Sequence, residues 1–409
     1  MRGSYWLYIG IILFIVGLII NQIPMILVAL LLLLVTGITK LWEKYCLTRI
    51  EYQRKLNARR VFFGEEVELE IEIANRKPLP LPWVEIDDEI PSDIVLLKGK
   101  TSPSHRQGRI NINHLFSLCW YHKIKRRYRL SCQQRGLFTF GPTGISSGDI
   151  FGFFKKGMEI REIDYLTVYP RILPLQNTTF PSNQPVGDIR TKRYIFEDPI
   201  LTRGVREYQF GDSLRSIHWK TTARLGKLQT KVFEPTTSPD IGIFLDVRTV
   251  KPPSWGSIPN LLELVIITAA SLCNQSLTEG YKTGLYINQG RKFSGSPIRI
   301  LPSQHPEQLP HILETLAQIH SSFENISISR FIPREARNLP WGSSMVVISA
   351  APTESLLATL TRMQRAGRRV SLISVGNGNL SIHSNGFPVY YVPDDIPWNE
   401  MQTLEIKAI

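Results

Sequence analysis

The sequence has little cysteine and no motif that would identify an enzyme. Its four cysteines, at positions 46, 119, 132 and 273, are too few and too scattered for a disulfide framework in a chain this long, and a reducing compartment suits them. Cys119 and His122 are spaced like the first two ligands of a zinc site, and Cys132 could be a third, but the sequence offers no fourth ligand. A CxxC pair, an HExxH helix, a Ser-His-Asp order and a Walker phosphate loop are all missing, so no common catalytic signature is recognised.

Composition places the chain among folded proteins with an excess of positive charge. Hydrophobic residues make up 43% and charged residues 20% of the 409 residues, which supplies enough apolar surface to offset the ordering entropy of the backbone. At about 150 residues per domain, the length predicts two or three units. The formal net charge of +13 is typical of proteins that contact nucleic-acid phosphates or the headgroups of anionic membranes.

The first 42 residues hold nearly all of the long apolar sequence. Two apolar stretches, residues 5–23 and 24–42, are interrupted only by the polar pair Asn21-Gln22. As a helix, each stretch of about 19 residues would span about 28 Å, close to the hydrocarbon core of a bilayer. A cleaved signal peptide is the alternative, but no small-residue cleavage site follows the first stretch. We therefore expect an α-helical transmembrane hairpin over residues 1–42.

The flanking charges predict how this hairpin is oriented. Arg2 precedes the first stretch, no charge lies in the turn, and a basic cluster follows the second stretch between Lys40 and Arg60. Because the cytoplasmic flanks of membrane helices are rich in Lys and Arg, we expect a two-pass protein of the cell membrane with both termini and the soluble domains in the cytoplasm. The basic cluster would then contact anionic headgroups of the lipid bilayer.

Short strands dominate residues 43–175. Glutamates alternate with apolar residues from Glu66 to Glu72, and basic residues alternate with other residues from Lys123 to Arg129. Alternation at period two is typical of half-buried strands, and the lack of a helical period predicts an antiparallel β-sandwich. The acidic and basic faces could pair across neighbouring strands, but two separate solvated faces are the simpler interpretation.

Residues 176–239 combine a polar linker with the most distinctive motif of the chain. The motif has three blocks: Gly204-Val205-Arg206-Glu207-Tyr208, Gly211-Asp212-x-x-Arg215-x-Ile217-x-Trp219-Lys220 and Ala223-Arg224-x-Gly226-x-Leu228. These blocks resemble the signature of the domain-of-unknown-function 58 family. The resemblance covers the full length and implies a membrane hairpin, a β-sandwich, this motif and a C-terminal domain similar to von Willebrand factor type A.

Two interpretations of this arginine-rich motif remain open. Ion pairs of Asp212 with Arg206 or Arg215 would fix a non-regular segment in place as a latch between the sandwich and the following domain. Alternatively, the segment is an exposed cationic surface that binds an acidic partner or phosphate. The candidate residues for either role are Arg206, Glu207, Tyr208, Gly211, Asp212, Arg215, Trp219, Lys220 and Arg224.

From residue 240 to 409, apolar strands alternate with helical stretches. This rhythm predicts a Rossmann-like α/β domain with a mostly parallel sheet, and ligands of such folds bind beyond the carboxyl ends of the strands. The resemblance implies a metal site there, built on Asp-x-Ser-x-Ser after the first strand and a later Asp. This chain keeps Asp246, but Arg248 and Val250 replace both serines. We expect a degenerate site without metal, in which Arg248 pairs with Asp246.

These observations favour a non-enzymatic, membrane-anchored scaffold that recruits cytoplasmic proteins and needs no cofactor. The resemblance implies a MoxR-type AAA ATPase as partner, in envelope or complex-assembly processes. The alternative is a membrane-associated hydrolase that uses the acid and base groups of Asp212, His218 and Lys220. Nucleic-acid binding is not expected, because the sequence has no aromatic and basic recognition module.

Overall fold

In a computed structural model, the chain divides into two compact units, Met1–Tyr169 and Pro170–Ile409. The structure describes residues 3–149, 154–176, 197–209, 217–235, 240–250, 257–290, 296–320, 325–376 and 386–408. The first unit contains an apolar helical hairpin followed by short strands. The second unit contains the arginine-rich motif and an α/β sheet.

Two apolar helices begin the first unit, α1 (Gly3–Ile20) and α2 (Ile23–Tyr45). The chain reverses at Asn21, whose φ is 56°, and a proline lies in the first turn of α2. The helices pack closely because Gly10 lies against Leu33 and Gly17 against Ile26, where a Cβ atom would come within 3.0 and 3.1 Å of those side chains. By length and composition α2 could cross a membrane, and α1 is a shorter apolar helix.

Short strands form the rest of the first unit. They are β1 (Ile50–Leu56), β2 (Arg60–Phe62), β3 (Glu66–Asn75), β4 (Leu81–Pro91), β5 (Val95–Leu96), β6 (Thr101–Pro103), β7 (Arg109–Leu118), β8 (Lys123–Ser131), β9 (Gly136–Phe140), β10 (Thr143–Gly148), β11 (Lys155–Ile160) and β12 (Asp164–Tyr169). One sheet has the order β1-β3-β8-β5, a second β11-β10-β4-β7-β6 and a third β2-β12-β9. Ile71, Ile86 and Leu166, one from each sheet, belong to one buried cluster, so the arrangement is sandwich-like, as the alternation predicted.

The acidic and basic faces predicted from the sequence lie on neighbouring antiparallel strands, β3 and β8. Glu70 accepts from Lys125 at 3.1 Å and from Arg127 at 2.8 Å, and Lys125 also lies 3.1 Å from Glu72. Hydrogen bonds from Arg127 and Lys125 hold the pKa of Glu70 below its ordinary value. The simpler interpretation as two separate solvated faces is therefore wrong, because the two faces pair across neighbouring strands. Ion pairs at a surface favour this register more than they add stability.

The second unit begins with small elements that precede its large sheet. Strand β13 (Leu175–Gln176) pairs in parallel with β22 (Leu404–Glu405). Strands β14 (Glu197–Glu207) and β15 (Gln229–Pro235) form an antiparallel pair, and the short helix α3 (Trp219–Leu225) lies between them in sequence. The described parts of the arginine-rich motif are therefore regular, which corrects the expectation of a non-regular segment.

A seven-stranded sheet in the order β18-β17-β16-β19-β20-β21-β23 organises the rest of the unit. Its elements are β16 (Ile241–Leu245), α4 (Pro259–Thr278), β17 (Thr283–Gly290), β18 (Pro297–Ser303), α5 (Gln308–Ala317), α6 (Ile328–Glu335), β19 (Ser344–Ser349), α7 (Glu354–Arg365), β20 (Arg369–Val375), β21 (Val389–Val392) and β23 (Lys407–Ala408). The five inner strands are parallel, and β18 and β23 are antiparallel edges. Helix α4 is also long and apolar enough to cross a membrane, but most of it is buried, as in a core helix.

The order of the strands reverses at β16, which has β17 on one side and β19 on the other. The carboxyl ends of these parallel strands meet at one edge of the sheet. Such a reversal is where open α/β sheets form a binding crevice. Asp246 follows β16 directly and so lies at this point.

Candidate functional site

Helix α3 is built by the capping residues of the arginine-rich motif. His218 is its N-cap: the Nδ1 atom accepts from the backbone N–H of Thr221 at 3.1 Å and lies 2.7 Å from the Thr221 hydroxyl. Gly226 ends the helix with a φ of 67°, a conformation that glycine adopts without strain. The imidazole that sequence reasoning considered for acid and base chemistry therefore has a structural partner at Nδ1.

The backbone places the two described halves of the motif side by side. Arg206 lies opposite Thr230 and Glu207 opposite Gln229 in the β14–β15 register, and the Tyr208 N–H donates to the carbonyl of Leu228 at 3.0 Å. Gly211, Asp212 and Arg215 lie outside the described residues. The predicted ion pairs of Asp212 with Arg206 or Arg215, and its part in a hydrolase, therefore lie outside them as well.

Around this hairpin, apolar and cationic side chains are exposed together. Trp219 is 67% exposed, Leu225 58% and Leu228 45%. Lys220 and Arg224 on α3 and Arg206 on β14 are exposed as well. Glu207 lies 3.6 Å from Lys227, and both side chains are mostly in solvent, so this pair adds little stability. We call Trp219, Lys220, Arg224, Leu225 and Leu228 the motif surface.

A second group of polar residues surrounds Asp246 at the edge of the large sheet. Asp246 Oδ1 accepts from Asn288 Nδ2 at 2.7 Å and from the backbone N–H of Arg248 at 3.2 Å, while Oδ2 accepts from the Ser349 hydroxyl at 3.0 Å. Asn288 also binds the backbone after β16, because its Oδ1 accepts from the Val247 N–H at 3.0 Å. Burial raises the pKa of the Asp246 carboxyl despite these donors.

The expected ion pair between Arg248 and Asp246 is wrong. The Arg248 guanidinium donates through Nη2 to the backbone carbonyl of Asn325 at 2.8 Å, and it is the Arg248 backbone that contacts the carboxylate. The buried carboxylate instead takes hydrogen bonds from neutral groups of the adjacent strands β17 and β19. Asp246 thereby fastens the carboxyl ends of three strands to each other.

The residues around Asp246 do not fit the divalent cation that the family resemblance implies. A hard cation takes six or more oxygen ligands and favours several carboxylates. Here one carboxylate is present, and both of its oxygens already accept hydrogen bonds. Across the described part of the chain, no three His, Cys, Asp or Glu side chains form a group that could hold a metal.

Sequence reasoning assigned no role to Asn288 or Ser349. Both are fully buried polar residues near the carboxyl ends of apolar strands, and a polar residue in such a place is a signal that can be found from sequence.

The zinc-like spacing of Cys119, His122 and Cys132 does not bring metal ligands together, since Cys119 is exposed while Cys132 is buried. Burial raises the pKa of the Cys132 thiol to about 11, which disfavours the thiolate that zinc binds.

Solved structures with a similar strand arrangement cover 29% of this chain. One is the CARDB domain of a Pyrococcus furiosus protein, at 12% identity, with 91% of that chain covered and a TM-score of 0.21. Another is a cohesin module from a Clostridium perfringens family 33 glycoside hydrolase, at 14% identity, with 96% covered and a TM-score of 0.21. These scores are too low to support a conclusion about function.

Sequence relatives are more informative about the motif. An uncharacterized protein of Bacillus subtilis (strain 168), YeaD, is 25% identical over 317 residues, which cover 76% of this chain and 73% of that protein. The family model described as "Protein of unknown function DUF58" matches residues 204–375, from the first block of the motif to the end of β20. The resemblance drawn from the motif is thereby confirmed: this chain carries the DUF58 region.

Proposed function

We propose that this protein is a membrane-anchored, non-enzymatic scaffold that binds a cytoplasmic protein partner through the motif surface. The observation that carries the proposal is the exposure of Trp219, Lys220 and Arg224 on the same short helix. Tryptophan and arginine are the side chains that most often dominate binding energy at protein interfaces. An exposed aromatic on a helix that also carries exposed cations suits a partner that offers an apolar pocket and acidic groups.

The exposed surface of the helical hairpin supports anchoring in the cell membrane. Ile19 is 77% exposed, Ile23 70% and Leu31 64%, and contiguous apolar surface of this kind is costly in water. The basic cluster after α2 supports a two-pass topology with both termini and the soluble domains in the cytoplasm. The motif surface would then face cytoplasmic partners.

The order of the large sheet supports a fold like that of von Willebrand factor type A for the C-terminal domain. Parallel strands lie on both sides of β16, and β18 is an antiparallel edge next to β17. This order is a doubly wound arrangement. In this proposal the domain acts as a binding module, which is supported by the hydrogen bonds that join Asp246 to the neighbouring strands.

The partner proposed from the family resemblance is a MoxR-type AAA ATPase, in envelope or complex-assembly processes. The hydrolase alternative receives less support. The Nδ1 atom of His218 is occupied by Thr221 at the start of α3, whereas a catalytic base needs a substrate or nucleophile proton within hydrogen-bond reach. Lys220 is exposed on the helix, with no nucleophile hydrogen-bonded to it among the residues that the structure describes.

The test is a binding titration of the full chain in lipid nanodiscs against a purified MoxR-type ATPase from the same organism, with ATP and with ADP. We expect Trp219→Ala to weaken binding by at least about tenfold, as loss of an interface anchor does. The control is Trp120→Ala, because Trp120 is 67% exposed like Trp219 but lies between β7 and β8 of the first unit. Absence of binding in both nucleotide states, or equal effects of the two variants, contradicts the proposal.

A further inference from the structure

A cavity of about 570 Å³ lies where helix α2 meets the strands of the first unit. Leu41 and Tyr45, four residues apart and so on one face of α2, form its apolar wall. Thr48 and Arg49 contribute from the turn after the helix, and Lys77 and Leu79 from the loop between β3 and β4. The cavity is therefore amphipathic, because Leu41, Tyr45 and Leu79 are apolar while Arg49 and Lys77 are cationic.

The cations of this cavity are not neutralised by its other walls. The buried Lys77 ammonium donates to the carbonyls of Cys46 and Thr48, the latter at 2.8 Å, so one of its three N–H groups is left. Burial lowers the pKa of Lys77 to about 8. The lining residues include no Asp or Glu, and within the described ranges the Arg49 guanidinium has no ion pair or hydrogen bond.

The backbone of Arg49 is strained, which indicates that its side chain has a function. Its φ is 51°, in the left-handed region that is unfavourable for a non-glycine residue. The turn is held by the Arg76 N–H, which donates to the Arg49 carbonyl at 3.0 Å. Glycine would adopt this conformation without strain, so the fold does not itself require arginine here. Strain of this kind is typical of positions where a side chain has a function.

The position of the cavity along α2 indicates what Arg49 and Lys77 contact. Leu41 and Tyr45 belong to the last turns of the apolar helix, where Lys40 and Lys44 first interrupt the apolar sequence. The Lys44 ammonium lies 5.4 Å from the centroid of the Tyr45 ring, and Lys156 of β11 donates to the Glu43 carbonyl at 3.2 Å. Tyrosine and lysine together are characteristic of the bilayer–water interface, where lipid phosphates lie.

We propose that this cavity binds the headgroup phosphate of an anionic phospholipid from the adjacent leaflet. Arg49 donates to the phosphate oxygens in the two-pronged geometry that guanidinium offers, and the remaining N–H of Lys77 donates beside it. Leu41, Tyr45 and Leu79 contact the glycerol and the start of the acyl chains. The site rests on the proposed membrane anchoring and adds a specific lipid contact to it, between α2 and the loop that joins β3 to β4.

The experiment is native mass spectrometry of the detergent-solubilised full chain, titrated with palmitoyl-oleoyl phosphatidylglycerol and with the matching phosphatidylcholine. We expect tighter binding of phosphatidylglycerol, weakened by about tenfold or more in Arg49→Gly, since the variant removes hydrogen bonds to a charged group. Glycine suits the backbone at this position, so the variant keeps its fold. Lys98→Gln removes an exposed charge of the first unit that lies outside both the cavity and the basic cluster, and it should leave binding unchanged.

Each contrary result has a definite meaning. Wild-type affinity in Arg49→Gly, or equal losses in both variants, overturns the site in favour of diffuse attraction to headgroups. Displacement of the lipid by inorganic phosphate at equal concentration overturns the lipid assignment and indicates a soluble phosphate ligand. Anchoring is tested separately by alkaline extraction of membranes: release of the chain contradicts the proposed function, whereas retention without dependence on Arg49 contradicts only this site.

Discussion

Asp246 illustrates how one buried carboxylate can fasten several strands without an ion. Its relative exposure is 2%, and its donors come from the segment after β16, from β17 and from β19. Because a buried charge without partners is costly, the three donors are required for the carboxylate to remain there. At the position where the resemblance implies a metal ligand, the carboxylate of Asp246 joins neighbouring strands.

We expect Asp246→Ala to lower the free energy of unfolding of the second unit by about 2–4 kcal/mol, since it leaves the Asn288 and Ser349 donors buried without an acceptor. Ser349→Ala removes one donor and should cost about 1 kcal/mol. Thermal unfolding with Mg²⁺ or with EDTA measures both the loss and any ion dependence. A rise in the wild-type melting temperature with Mg²⁺ that disappears in Asp246→Ala would refute this structural role.

His114 makes the first unit sensitive to acid. It is buried on β7, with Nδ1 2.9 Å from the Tyr128 hydroxyl, and burial, aided by the charge of Arg126, lowers its pKa to about 4. The unfolded chain takes up this proton near pH 6.5. As the pH falls from about 6.5 to about 4, only the unfolded state gains the proton, so stability is full above this window and declines within it.

His114→Gln should therefore reduce the loss of stability between neutral pH and about pH 5. Urea unfolding of the full chain at both pH values, followed by hydrogen exchange of β7 and β8 amides, measures the difference for each protein. The comparison uses the change with pH, so a uniform cost of the substitution cancels. An identical change in wild type and variant would show that other groups cause the acid sensitivity.

At the scale of elements, local sequence patterns predicted individual strands but not which strands pair with each other. Alternation identified β3 and β8 separately, but their adjacency is a non-local property, so paired and solvated faces could not be distinguished. Similarly, Asp246 was noticed at the end of a strand, while its partners Asn288 and Ser349 lie 42 and 103 residues further along the chain. No period in the sequence connects residues at such separations.

The short helix α3 escaped prediction for a different reason. It has seven residues, too few for a hydrophobic period to show, and a histidine is an uncommon N-cap. Gly226 was the remaining signal, because glycine favours the left-handed conformation that ends helices. In this element the residues noticed for chemistry, His218 and Lys220, serve as a cap and an exposed cation, so the motif surface depends on a scaffold only two turns long.

At the scale of the whole molecule, the basic residues behind the net charge of +13 lie in different environments. On the sandwich, basic residues of β8 are paired with glutamates of β3. Arg49 and the motif residues Lys220 and Arg224 have no such carboxylates among the described residues. Part of the excess charge therefore lies at the proposed membrane contact and at the proposed partner contact, and the latter requires the soluble part to lie in the cytoplasm.

This topology can be tested with the cysteines of the chain. Cys119 is exposed between β7 and β8, whereas Cys46, Cys132 and Cys273 are buried. Since maleimides react with accessible thiolates, a membrane-impermeant maleimide should label Cys119 in inside-out vesicles and leave it unlabelled in right-side-out vesicles. Cys119→Ser should abolish the signal until the protein is denatured, because the remaining thiols are shielded. Labelling in intact right-side-out vesicles would place the sandwich outside the cytoplasm and remove the basis for a cytoplasmic partner.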